Sequence, residues 1–122
     1  IQRYMSARIV TPQQNLASII ANAPNNTVIK LTAGIFHLQP QQPHQQGVLI
    51  QNKRGLIITG SGRDQTTVKL ATHVDVGFLI GSKVEDLKIE NLHIQGTPPF
   101  KNKYGRHRQH INMFWGSQCH PD

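Results

Sequence analysis

The sequence predicts an all-β solenoid of short parallel strands, and three observations carry that prediction. Apolar and polar residues alternate along runs of only a few residues, the pattern of a strand with one face buried. The runs recur: the inward pairs Ile29/Leu31, Leu56/Ile58 and Leu87/Ile89 start 27 and 31 residues apart, with no helix between them. A repeat of this length built from strands alone marks stacked units. The two-residue Asn-Gly or Asp-Gly loops typical of antiparallel hairpins are absent.

Each element follows from local pattern. Residues 7–11 (ARIVT) read as a first short strand, ended by Pro12. In "NLASIIANA", Leu16, Ile19, Ile20 and Ala23 fall at the i, i+3, i+4, i+7 spacing of one helical face. Asn15 is placed as its N-cap and "PNN" as its stop, giving an amphipathic helix over 15–23. Beyond it the period switches to two. Ile29 and Leu31 point inward and Lys30 outward; Phe36 and Leu38 do the same after the corner "TAG". The stretch "QPQQPHQQ" (39–46) is too polar for a core and reads as a surface loop. Inward pairs follow at Val48/Ile50, Leu56/Ile58, Val68/Leu70, Phe78/Ile80, Leu87/Ile89 and Leu92/Ile94. Three short strands per coil and about three coils are expected, each laid on the one before at about 4.8 Å. Residues 1–96 form this unit, and 97–122 form an irregular basic tail or C-terminal cap.

Composition narrows the class. The chain has 122 residues, room for one modest domain. No apolar run approaches the roughly 20 residues of a membrane-spanning helix, so no membrane partner is expected. It opens on Ile1, so either a leader has been removed or the chain is a piece of a longer protein. One cysteine, Cys119, excludes an internal disulfide. Asn25-Asn26-Thr27 matches a glycosylation acceptor, a pattern common by chance. The net charge is +7: residues 1–96 contribute nine Lys/Arg against five Asp/Glu, and residues 97–122 four against one. That balance suits simple solubility or anionic partners, whether acidic polysaccharide, nucleic acid or anionic lipid, and charge alone does not choose among them. Nucleic acid is disfavoured because the tail's four bases lack a folded platform.

Several segments resemble the amino-terminal coils of the pectate-lyase-like, right-handed parallel β-helix superfamily. Gly34, Phe36 and Leu38 match a G-x-(Y/F)-x-L strand; Ile58, Gly60, Gly62, Thr66 or Thr67, and Val68 match a segment of the form I-x-G-x-G-x-x-x-T-x-(I/V). In "LKIENLHIQG", Asn91 takes the place of the asparagine that marks a sharp turn between two sheets, which asparagine tolerates because it adopts left-handed backbone. The helix resembles the family's amino-terminal cap. The resemblance covers residues 7 to about 96. It implies a right-handed parallel β-helix of about three coils with an N-terminal amphipathic capping helix, and a secreted, periplasmic or cell-surface protein. It also implies structural turns at Gly34, Gly60, Gly62 and Asn91.

The same resemblance implies the N-terminal part of a polysaccharide-active protein, a lyase, hydrolase or epimerase acting on acidic glycan. Family lyases use aspartate-held calcium and an Arg or Lys base, groups that usually lie on later coils. Asp64, Asp75 and Asp86 have no cluster spacing, so no catalytic residue and no cofactor are assigned. The alternative is a non-catalytic glycan-binding or self-assembling module, associating as a homo-oligomer through an exposed C-terminal coil.

Outward bases supply the substrate-binding candidates Lys30, His37, Lys69, Lys88 and His93. Lys30, Ile57 and Lys88 are expected to stack on one sheet and His37, Lys69 and His93 on another, columns that can follow a polyanion. The same bases also serve simply to keep strand edges soluble. In the tail, His107, His110, Cys119 and His120 have ligand chemistry for zinc, but their spacing matches no structural zinc motif and no metal site is assigned. "KNKYGRHR" offers bases and Tyr104 to a phosphate backbone. Tyr4, Phe114 and Trp115 are candidates for stacking on sugar rings or, for the last two, for packing over the final coil.

Overall fold

In a computed structural model, which describes residues 6–113, the alternation of inward and outward side chains sets the strands one circuit at a time. The first part comprises β1 (Ser6–Val10), α1 (Leu16–Ala21), β2 (Thr27–Leu31), β3 (Gly34–Leu38), β4 (Gln46–Ile50) and β5 (Lys53–Arg54). A second circuit supplies β6 (Ile57–Thr59), β7 (Thr66–Leu70), β8 (Val76–Ile80) and β9 (Val84–Glu85). A third supplies β10 (Lys88–Glu90), β11 (His93–Gln95) and β12 (Gln109–Met113). The described residues are thus all-β apart from one short helix.

The strands form four sheets in which every pair is parallel: β1-β2-β6-β10, β3-β7-β11, β4-β8-β12 and β5-β9. The chain visits the sheets in the same order each time, so each strand pairs with the one laid down a circuit earlier. Three sheets per circuit were expected. The fourth is a two-residue pair in which Arg54 faces Glu85 and ion-pairs with it at 3.3 Å. Its strands are too short to carry an alternation, which is why pattern alone misses them.

Inward residues stack in columns. Ile29, Ile58 and Ile89 are register partners, as are Phe36, Val68 and Ile94, then Val48, Phe78 and Ile111, then Ile50, Ile80 and Met113. The first two members of each column are buried, while those on the last circuit are only partly covered. The expected alignment of Ile29 with Leu56 is wrong by two residues: Ile29 faces Ile58. A slip of two leaves every side chain on its own face, so alternation cannot detect it. Ile29, Leu56 and Leu87 nevertheless all line the shared interior.

Backbone corners hold the register. Asn26, Gly55 and Asp86 precede the strands of the first sheet, one above the other, with φ of +59°, +70° and +53°. Asn26 N–H donates to the Arg54 carbonyl at 2.9 Å and Gly55 N–H to the Glu85 carbonyl at 3.0 Å. Asn91 has φ +59°, the left-handed corner expected of it. Gly34 and Gly62 adopt φ of +131° and +142°, which only glycine adopts readily. Gly60 serves differently: a Cβ there would run into the Asn91 carbonyl and approach Thr66 to 2.9 Å, so its role is close approach. The buried Thr66 hydroxyl donates to the Thr32 carbonyl at 3.0 Å and accepts from Ser61 N–H at 2.9 Å, tying two circuits together.

At the amino-terminal end β1 pairs with β2, and α1 packs against β3 and β4 with Leu16, Ala17 and Ile20 buried. Asn15 is the N-cap, its side chain accepting from Ser18 N–H at 3.1 Å. The helix is shorter than the expected 15–23: it ends at Asn22, whose side-chain amide donates to the Ser18 carbonyl at 2.9 Å. Lys53, a circuit later, donates to the freed carbonyls of Ala21 and Ala23 at 2.9 and 2.6 Å.

The segment from residue 97, expected as an irregular basic tail or C-terminal cap, contains regular structure. Residues 109–113 form β12, which continues the third sheet, and Lys101 bridges to His107 across a tight turn. Tyr4, Phe114, Trp115, Cys119 and His120 lie outside the described residues.

Replacing Thr66 with Val removes a hydroxyl that satisfies two backbone groups in the interior and is expected to cost about 1–3 kcal/mol in denaturant unfolding. Asn15→Ala removes one exposed cap bond and is expected to cost about 1 kcal/mol. An equal or larger loss for Asn15→Ala would contradict the placement of Thr66.

Candidate functional site

The register decides which outward bases meet. On the first sheet Lys30 faces Thr59, which faces Glu90, while Lys88 faces Ile57 and ion-pairs with Glu90 at 3.4 Å. Lys30 and Lys88 therefore do not share a column, and the one Lys30 occupies ends on a carboxylate. The two-residue slip that misplaces Ile29 misplaces these bases as well. On the second sheet His37 does face Lys69, about one strand spacing away. The third member of that column is Gln95, and His93 sits one column over, opposite Thr67. What remains is a three-base patch of His37, Lys69 and His93 on one sheet, in place of two ladders.

A second feature was not legible in sequence. Three loops connect the second sheet to the third: residues 39–45, 71–75 and 96–108. Because their flanking strands stack, the loops stack too. Asp75 N–H donates to the Gln45 carbonyl at 2.9 Å, and Gln109 N–H donates to the Asp75 carbonyl at 2.8 Å. Together they wall an open cleft of about 600 Å³ lined by His44, His73, Asp75, Lys103, Tyr104 and Arg108, among others. His37 and Lys69 lie one residue before the strand ends from which two of these loops start.

Local sequence explains each wall. In the first loop the buried Gln46 side chain accepts from His44 N–H and donates to the Gln42 carbonyl, both at 2.9 Å, and Gln41 bridges back to Gln46. A residue at the expected edge of a surface loop is thus its internal anchor. In the third loop the Asn102 carboxamide oxygen accepts from Tyr104 N–H at 2.9 Å and Arg106 N–H at 3.1 Å, and Gly105 turns the chain at φ +79°. Asparagine followed three residues later by glycine is a turn signal, hidden here by the charge of "KNKYGRHR".

The electrostatics are basic with one buffered point. Lys103 lies 5.1 Å from the centroid of the Tyr104 ring, and that ring is 74% exposed. Arg108 is buried to about nine-tenths and lies 3.5 Å from the Asp75 carboxylate. Gln45 and His73 hold φ of +55° and +79°, left-handed conformations that cost on the order of 1–3 kcal/mol each and gather at functional clefts. An aromatic face beside cations suits a ring-shaped ligand that carries negative charge.

His107 and His110 line different cavities, and among the described residues no three His, Cys, Asp or Glu side chains come together to hold a metal ion. No described helix is long and apolar enough to cross a membrane. In comparisons with protein-family models, curated proteins and solved structures, none matches this chain.

Asn102→Ala is expected to loosen the third wall without unfolding the stack. Amide exchange at residues 103–107 rises on the order of tenfold, while the global transition moves little. Unchanged protection there would mean that the carboxamide does not organise the turn.

Proposed function

We propose that this chain is a right-handed parallel β-helix and forms the N-terminal, capped part of a polysaccharide-active protein, where it binds acidic glycan. The fold reading is supported by the fixed order in which the chain visits its parallel sheets. The hand follows from the right-handed crossover that twisted strands impose on parallel connections. The resemblance of residues 7–96 to pectate-lyase-like coils supports the polysaccharide.

The observation that carries the binding role is the corner cleft. Stacked loops bring Lys103, Arg108 and the exposed Tyr104 ring together beside a sheet that presents His37 and Lys69. Cations spaced along a groove follow the repeating charge of a polyuronate, and an aromatic plane takes the apolar face of a sugar ring. The contribution of these coils is to hold and orient polymer, and the bond-breaking groups of a lyase, hydrolase or epimerase belong to later coils. Such a protein works outside the cytoplasm, at the surface, in the periplasm or in the medium.

A second reading, self-assembly, has its own support. The third circuit, the last among the described residues, leaves Ile111 39% exposed and Ile89, Leu92 and Ile94 only partly covered, an apolar face able to receive another copy.

Chromatography on immobilised polygalacturonate tests the binding role. Retention is expected, weakening with salt as charges are screened. The double substitution His37→Ala, Lys69→Ala lowers the eluting salt, whereas Lys30→Ala leaves it unchanged. No retention, or equal effects of the two variants, would overturn the reading. Ultraviolet absorbance of an unsaturated product from polygalacturonate with calcium would instead assign lyase chemistry to the chain itself.

A further inference from the structure

Arg108 stands apart from the other bases of the cleft. Its guanidinium carries five donors and is buried to about nine-tenths, yet its polar contacts are few and long. Nη1 reaches the Thr97 carbonyl at 3.5 Å. Nε lies 3.5 Å from Asp75 Oδ1, close enough to pair in charge, but it is buried without a hydrogen-bond partner. Buried donors are nearly always satisfied, and a guanidinium this sparsely engaged at the wall of a ligand-sized cleft keeps donor capacity that the protein does not use.

The backbone fixes this group in place. Arg108 N–H donates to the Phe100 carbonyl at 2.9 Å, and the next residue, Gln109, donates to Asp75. The arginine therefore stands at the root of the third loop, where the walls converge, while Lys103 and Tyr104 stand at its exposed rim. Arg108 also borders a second, small cavity of about 20 Å³ whose lining includes Leu70, Val74, Thr97 and Phe100.

We propose that Arg108 is the anion anchor of the cleft and Asp75 its resident counter-ion. Asp75 holds the guanidinium charge in the free protein through a loose pair. A carboxylate carried on a sugar ring takes the Nη donors that the protein leaves unused, in the parallel two-bond geometry that guanidinium and carboxylate share, while Nε stays beside Asp75. Asp75 thereby sets a threshold: neutral sugars gain nothing at this point, and an anion must compete with a carboxylate already beside the arginine. The assignment rests on the glycan-binding reading for the identity of its ligand, and on the geometry alone for the anion.

Two substitutions and one spectroscopic signal test it. Glucuronate is titrated into ¹⁵N-labelled protein at fixed ionic strength while the Arg108 Nε–Hε resonance is followed, with glucose as the neutral control. The resonance is expected to move with glucuronate and to stay still with glucose. Asp75→Asn, which keeps the shape of the side chain, is expected to tighten glucuronate binding several-fold. Arg108→Lys, which keeps the charge and loses the fork, is expected to weaken it about tenfold with the thermal midpoint preserved.

A resonance that does not respond to glucuronate, or an Asp75→Asn protein that binds no more tightly, overturns the assignment. If Arg108→Lys fails to fold, the resonance and Asp75→Asn still decide. Retention on polygalacturonate with an unresponsive Arg108 would sink this inference alone. A responsive Arg108 without retention would sink the polysaccharide reading and leave the anchor standing.

Discussion

The structure depends on one constraint: the chain must return after each circuit to the same register, so that like positions lie over one another. A three-residue strand such as β6 cannot persist alone, because it buries too little to offset the entropy of ordering it. Placed between parallel neighbours it gains hydrogen bonds on its edges and an apolar side chain above and below. Ile58 lies between Ile29 and Ile89 in this way. Left-handed corners at Asn26, Gly55 and Asp86 make the return possible by turning each circuit at the same point.

The candidate site is a consequence of that constraint. Loops linking the second and third sheets need not match in length, because the strands at their ends carry the register. The shortest, residues 71–75, sits between two longer ones, and the cleft is the difference between them. Residues far apart in the chain, such as His44, His73 and Arg108, become neighbours without any local signal linking them. The candidate site thus lies on the variable part of the stack.

How much of this is legible in the sequence depends on the length scale of the signal. The inward pairs, the N-cap at Asn15, the corner at Asn91 and the all-β class follow from periods and propensities within a few residues. Register does not, since a slip of two preserves the alternation, and that error moved Lys30 and Lys88 into a ladder they do not form. The fourth sheet is too short to show a pattern. In the third loop the turn signal of Asn102 and Gly105 lies inside a run dominated by basic residues. Gln46 and Arg108 give no sign in sequence of being buried, because both are polar residues within or beside loops.

The most direct measurement is a set of nuclear Overhauser contacts between backbone protons of residues one circuit apart. The account predicts the staggered Hα–HN pattern of parallel strands joining residue 29 to 58, 58 to 89 and 36 to 68. Close Hα–Hα contacts between any of these strands, the mark of antiparallel neighbours, or contacts pairing residue 29 with 56 instead, would contradict it.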